Sequence, residues 1–330
     1  MTTTATSLRL RRRALLQAAA LGAVLPNAWA QGAFPNKPVR IVVPFAAGGP
    51  TDLMARAIAK AMGQSTGQPF IVDNKPGGGG VIGMSEIGRN PADGYTLVMP
   101  SILAVTNPAL MPNYPFDTLK DFSPVTIVGF IPHALVVKPD FPAADLQALV
   151  KMGKQNPNSL SYASSGIGTS AHLAGALFAQ RAGIQATHVP YRGAGPAVQD
   201  LLGGRVQFMF LDMSTALGQI QAGKLRALAV APAKRFEGLP QVPTVTEQGY
   251  PGFDVHGWYG LLLKAGTPAP VIDALYREVK AALSDPELRA MFRAQGIEPG
   301  GMPPAEYGEV IRKDLVQWRK TIAELGIKLD

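Results

Sequence analysis

The sequence predicts a two-lobed α/β protein, each lobe a mostly parallel sheet flanked by helices. Three observations carry that expectation. Short β-branched apolar runs alternate with segments of helical spacing from Val39 onward, the pattern of βαβ units. The alternation comes in two series, the second beginning near Pro132. The 330 residues, 47% of them hydrophobic, suffice for one large or two medium domains with real cores.

The first series opens with Val39-Arg40-Ile41-Val42-Val43, a strand by its β-branched content. After a Gly-rich turn, apolar residues at 53, 54, 57, 58, 61 and 62 mark a helix, with Gly63 at its expected C-terminal cap. Phe70 to Val72 and Tyr95 to Met99 read as further strands of the same sheet. In the second series, Ala134 to Val137, Leu160 to Ala163, Thr187 to Val189, Val206 to Leu211 and Arg226 to Val230 are strand-like. Helical stretches lie between them near 143–153, 170–182, 196–202 and 214–222. The Pro/Gly-rich path from Leu239 to Gly257 returns the chain towards the first lobe, ending in a strand from Gly257 to Leu263. Three amphipathic helices follow, Pro270 to Leu283, Pro286 to Gln295 and Ala305 to Leu325. The expected division is residues 31–131 with 256–330 as one lobe and 132–255 as the other.

Residues 1–30 read as a cleavable export signal. Arg9, Arg11, Arg12 and Arg13 form a charged start, Ala14 to Leu25 is apolar but too short to span a bilayer, and Ala28-Trp29-Ala30 offers a small-x-small cleavage site. The run Arg12-Arg13-Ala14-Leu15-Leu16-Gln17 is similar to a twin-arginine signal, and an arginine-rich Sec signal is the alternative. Loss of those four arginines, with no acidic residue among them, lowers the net charge from +8 to +4. That balance does not call for nucleic acid and mildly suits anionic ligands. No later segment reaches 18 uninterrupted apolar residues, so a soluble, monomeric periplasmic protein is expected. With no cysteine, disulfides and thiol chemistry are excluded.

Two segments suit an anion. Phe45-Ala46-Ala47-Gly48-Gly49-Pro50-Thr51-Asp52 joins the first strand to the first helix, at the strand's carboxyl end where open α/β sheets bind ligands. Gly48 and Gly49 allow close backbone approach, and free N–H groups at a helix start attract anions. Asp52 or Thr51 has the alternative of simply capping that helix. Ser164-Ser165-Gly166-Ile167-Gly168-Thr169 repeats the design before the helix near 170–182, with Thr169 or Ser170 as its cap on the plainer reading. A third glycine-rich stretch, Asp73 to Gly80, lacks the Gly-Lys-Ser/Thr of a phosphate loop and reads as a turn near the cleft. Asp212, at the end of its strand, either caps the next helix or receives a ligand ammonium or hydroxyl.

Catalysis is poorly supported. His133, His172, His188 and His256 show no metal-ligand spacing, and no serine sits in a Gly-x-Ser-x-Gly elbow. His172, on the helix behind Thr169, reads as structural, and no cofactor or metal is expected. The rival reading is a periplasmic hydrolase or isomerase that uses His172 with Ser165 or Asp212.

Six segments in order resemble the tripartite tricarboxylate transporter substrate-binding proteins, also called Bug receptors. They are Val42 to Asp52, Asn74-Lys75-Pro76-Gly77, Asp93 to Leu97, Ser165 to Thr169 with His172-Leu173, Val189 to Gly193, and Leu239-Pro240 with Val242-Pro243-Thr244. The resemblance implies a periplasmic-binding-protein-like fold, two lobes joined by two crossings with a hinged cleft that closes on a ligand carboxylate. It implies organic acids, acidic amino acids or aromatic acids as ligands. It also implies membrane permease subunits as partners; a further reading keeps the receptor fold and gives it a sensing role through a membrane sensor kinase. The ligand contacts it suggests are Phe45, Ala46, Gly48, Gly49, Asp52, Ser164, Ser165, Gly168 and Thr169, to which the strand-end position adds Asp212.

Overall fold

A computed structural model describes residues 34–328, and every element of the fold lies from Lys37 onward. The expected export signal falls outside the described residues. In the first part of the chain, strand β1 (Val39–Val43), helix α1 (Pro50–Thr66), β2 (Phe70–Asn74), α2 (Val81–Gly88), β3 (Thr96–Val98) and α3 (Leu103–Leu110) follow one another. β4 (Phe122–Val137) then leads into α4 (Leu146–Gln155), β5 (Leu160–Ser164), α5 (Ser170–Ala182), β6 (Ala186–Pro190), α6 (Ala194–Leu202), β7 (Phe208–Asp212), α7 (Met213–Gln221) and β8 (Arg226–Val230). The chain returns through β9 (His256–Lys264) and ends in α8 (Ala269–Ser284), α9 (Pro286–Ala294), the two-residue β10 (Glu298–Pro299) and α10 (Pro304–Glu324).

The sheet is mixed, in the order β2-β1-β3-β9-β4-β7-β5-β6, with β8 and β10 also on β4. At each end the βαβ reading holds: β1 pairs in parallel with β2 and β3, and β5 in parallel with β6 and β7. The centre is antiparallel, because β9 comes back against both β3 and β4. β4 is the long element that joins the two ends. Residues 122–132 pair with β9, and from His133 the partners become β7 and β8. Pro132 stands at that exchange, where a residue without an N–H forfeits least.

Only the last quarter of β4, Ala134 to Val137, reads as a strand in the sequence. Ser123, Pro124, Thr126 and Gly129 interrupt the apolar run and imitate a turn. In the fold they sit at register shifts between Pro124 and Thr126 and between Ile127 and Gly129. Gly129 also permits close packing, since a Cβ there would lie 2.8 Å from Met54 Sδ and 2.9 Å from Ile297 Cγ2. α1 runs past the expected Gly63 stop to Thr66, and Gly67 adopts the left-handed cap with its N–H on Gly63 O. α2 and α3 were not anticipated. Both are short, and α3 carries an internal Pro108 that spoils its helical signal.

Trp258 and Phe253 are buried in the core and Tyr259 nearly so. Trp258 Nε1 donates to Asp314 Oδ2 at 2.7 Å, tying the last helix to β9.

Candidate functional site

The first loop leaves the carboxyl end of β1 and enters α1 at Pro50, with Gly49 as its N-cap residue. Ala46, Ala47 and Gly48 are exposed, and Gly48 has φ of +85°. What shapes the turn is Asp52. One oxygen accepts from Gly48 N at 3.0 Å and Arg56 Nε at 2.9 Å, and the other from Asn74 Nδ2 at 3.0 Å. Asn74 also donates to Phe45 O at 3.1 Å and accepts from Arg56 Nη2 at 3.1 Å. Burial alone would raise the Asp52 carboxyl, but the bonds from Arg56, Gly48 and Asn74 outweigh it and hold it below the ordinary carboxylate value. Asp52 is therefore a brace, its oxygens filled from within. Gly48's N–H is engaged by the same brace, and the exposed N–H groups of Ala46 and Ala47 stay unpaired among the described residues.

The second loop leaves the carboxyl end of β5 and enters α5, capped by Thr169. Thr169 Oγ1 donates to Gly166 O at 2.7 Å and accepts from His172 N at 3.4 Å. Fully buried Ser164 lies with Oγ 2.7 Å from His188 Nε2, while Gly168 N donates to His172 Nδ1 at 3.1 Å. That bond puts the proton of the neutral His172 ring on Nε2. The two imidazoles stack with centroids 3.8 Å apart and planes within 7°, and Tyr162 stacks on His188 at 4.9 Å. Burial lowers His172 to about 4, and burial with the neighbouring His172 lowers His188 to about 3. Both rings are thus neutral supports beneath the loop. The Ser164–His188 contact is a poor nucleophile–base pair, since the hydroxyl is inaccessible and the imidazole too weak a base. The Ser165 hydroxyl and the first-turn N–H groups of Ser170 and Ala171 remain without partners among the described residues.

α3 brings these segments together. Thr106 Oγ1 donates to Gly168 O at 3.2 Å, and the next residue, Asn107, donates to Gly79 O at 2.9 Å. The Gly77 to Gly80 turn leads into α2, where a Cβ on Gly83 would lie 2.7 Å from Pro44 Cα, at the root of the first loop. Gly168, at φ +78°, has no room for a side chain, because a Cβ would stand 2.4 Å from Leu110 Cδ1. α3 therefore ties the second loop to the Gly77–Gly80 turn, and α2 carries that link on to Pro44 at the root of the first loop.

Asp212 ends β7 and occupies the N-cap position of α7, yet its carboxylate makes no capping bond. It pairs in register with His133 of β4, whose Nε2 lies 2.8 Å from Asp212 Oδ1. The approach is out of line with the ring N–H. Neither nitrogen of the fully buried His133 has a hydrogen-bond partner among the described residues. Tyr259 is close enough that burial and the Asp212 charge together push its phenol upward. This cluster lies next to the second loop. Ile131, two residues before His133, pairs with Gly257, and a Cβ on Gly257 would stand 3.3 Å from Ser170 Oγ. His133 escaped sequence reasoning because its partner lies 79 residues away, as 212 less 133 shows, and nothing local marks the pairing.

Fold and loops define a solute-binding receptor of the periplasmic type: two βαβ ends on one mixed sheet, each presenting a helix start from a strand's carboxyl edge. The chain belongs to the tripartite tricarboxylate transporter family receptors, whose family model matches residues 54–327. It is 38% identical over 298 residues to protein BugT of Bordetella pertussis, covering 90% of this chain and 91% of that one. Rpa4515 of R. palustris, solved with adipate, superposes with a TM-score of 0.81 at 33% identity, covering 90% of this chain and all of that one. MatC of Rhodopseudomonas palustris, solved with bound malate, gives 0.77 at 31% identity over 88% of this chain and all of that one. Among the described residues, no helix is long and apolar enough to cross a membrane, and no group of three or more His, Asp or Glu is placed to hold a metal.

Proposed function

We propose that the protein is an exported receptor that captures a small carboxylate-bearing solute by closing two lobes and delivers it to membrane subunits of a tripartite tricarboxylate transporter. The lobes are residues 31–131 with 256–330, and 132–255. The change of β4 partners after Pro132 and the start of β9 at His256 support that division. The observation that carries the reading is the linkage, through α3, the Gly77–Gly80 turn and α2, of two helix-start loops at the carboxyl edges of β1 and β5. A carboxylate between them meets N–H groups of Ala46, Ala47 and Gly49 on one side, and the Ser165 hydroxyl with the start of α5 on the other. Each charge-assisted bond contributes about 1.5–3 kcal/mol. A ligand touching both loops binds the closed state better and shifts the population towards it. The adipate- and malate-bound relatives support the carboxylate class.

A thermal-shift screen against small carboxylates tests this directly. A ligand of the folded state raises the midpoint with concentration. A concentration-dependent rise with at least one carboxylate, and no product formed, is expected. A folded protein carrying no co-purified acid by mass spectrometry and unmoved by the whole panel would refute the reading.

A further inference from the structure

Resting on the receptor reading, we propose that Asp212 selects carboxylates bearing a hydrogen-bond donor, a hydroxyl or ammonium, at the end remote from the carboxylate, and disfavours dicarboxylates.

Asp212 has the place of a helix cap without the bond of one, and its side chain remains 19% exposed. Its carboxylate makes no hydrogen bond among the described residues, although His133 Nε2 stands 2.8 Å away. His133 is 0% exposed with both nitrogens unpaired. Buried polar groups are ordinarily satisfied, so a pair left open at the carboxyl end of a strand calls for a partner that arrives from outside. Asp212 offers that partner only acceptor oxygens. It therefore takes a donor, and a second carboxylate on the ligand would face a carboxylate on the protein.

Position fits the same reading. Ser170, at the start of α5, meets the sheet at Gly257 and its partner Ile131. His133 lies two residues further along that face, roughly 6–7 Å away at strand rise. Asp212, the register partner of His133, therefore lies at the same end of the sheet as the start of α5. Tyr259, almost buried beside Asp212, keeps its proton and adds a neutral wall to this end.

Calorimetric titration of the purified protein with matched acids provides the test. The probes are 5-aminopentanoate, 5-hydroxypentanoate, pentanoate and glutarate, with 4-hydroxybenzoate, benzoate and terephthalate as the aromatic set. In at least one set a donor-bearing acid should bind about tenfold or more tighter than its plain and dicarboxylate counterparts. Asp212→Leu, which is of similar size, offers no acceptor and is checked for folding by circular dichroism, should reduce the donor-bearing acid's advantage to less than about threefold. Tightest binding of a dicarboxylate, or a preference that survives Asp212→Leu, would overturn the assignment and leave the receptor reading standing. Absence of binding by every acid would bring down both.

Discussion

The two helix-start loops occupy matching places, at the carboxyl ends of β1 and β5, and are held in opposite ways. The first is braced by charge: Asp52, Arg56 and Asn74 surround an exposed turn. The second rests on two neutral, stacked imidazoles and a buried serine. Both devices free some N–H groups by fixing others, but they fail under different conditions. A charged brace needs its carboxylate ionised, whereas a neutral histidine floor needs its rings unprotonated. The same loop geometry is thus reached by two electrostatic routes.

Acid should separate them most clearly. A histidine whose folded value is lowered contributes fully above its unfolded value near 6.5, and that contribution is lost as pH falls towards the folded value of about 4 for His172 and about 3 for His188. For His172, buried almost completely, the loss amounts to a few kcal/mol, on the order of 1.4 per pH unit. Asp52 runs differently. Its folded value lies below 3.8, so its contribution persists above the ordinary carboxylate range and goes only below it. Urea unfolding from pH 7.5 to 4.5 should show stability falling through this window, with a shallower slope in His172→Gln. A wild-type stability flat across that range would mean the rings titrate normally in the fold.

Asp52→Ala breaks the first loop alone. Three donors lose their acceptor, and a cost of about 2–4 kcal/mol is expected, with Asp52→Asn milder. Denaturation midpoints at pH 7.5 report it, and a change below about 0.5 kcal/mol would show that solvent replaces the brace. Gly168→Ala tests the second loop and its link to α3, since the new methyl meets Leu110 at a left-handed backbone. It should cost about 1–3 kcal/mol and loosen the Thr106 contact, read as faster amide exchange around Gly168. Thr169→Val is the smallest. Loss of the cap should cost about 1 kcal/mol with the fold intact, and carboxylate affinity should fall several-fold. Unchanged affinity would remove the Thr169 end from the ligand site.

Much of this was legible without coordinates. The strand runs, the helix over 170–182, the glycine-bearing loops and the cap at Thr169 depend on neighbours within a few residues, where periodicity and turn chemistry act. Asp52 stands out in the sequence as a ligand contact or a cap, and in the fold it lies in the first turn of α1 and braces the loop. Its partners Arg56 and Asn74 were not, because Asn74 arrives through the β1–β2 pairing. The histidines read as unremarkable, yet two of them meet residues far along the chain: His172 stacks on His188, and His133 lies against Asp212.

Chain-local chemistry therefore specifies the α/β class, the two series of elements and the anion-friendly loops, since caps, glycine conformations and apolar spacing act over a turn or two. The antiparallel centre, the sixteen-residue β4 and the α3 link arise from pairings between residues far apart in sequence. No local pattern encodes a partner. Register and packing choose it once the sheet forms, and that choice sets Asp212 against His133 at the foot of the second loop.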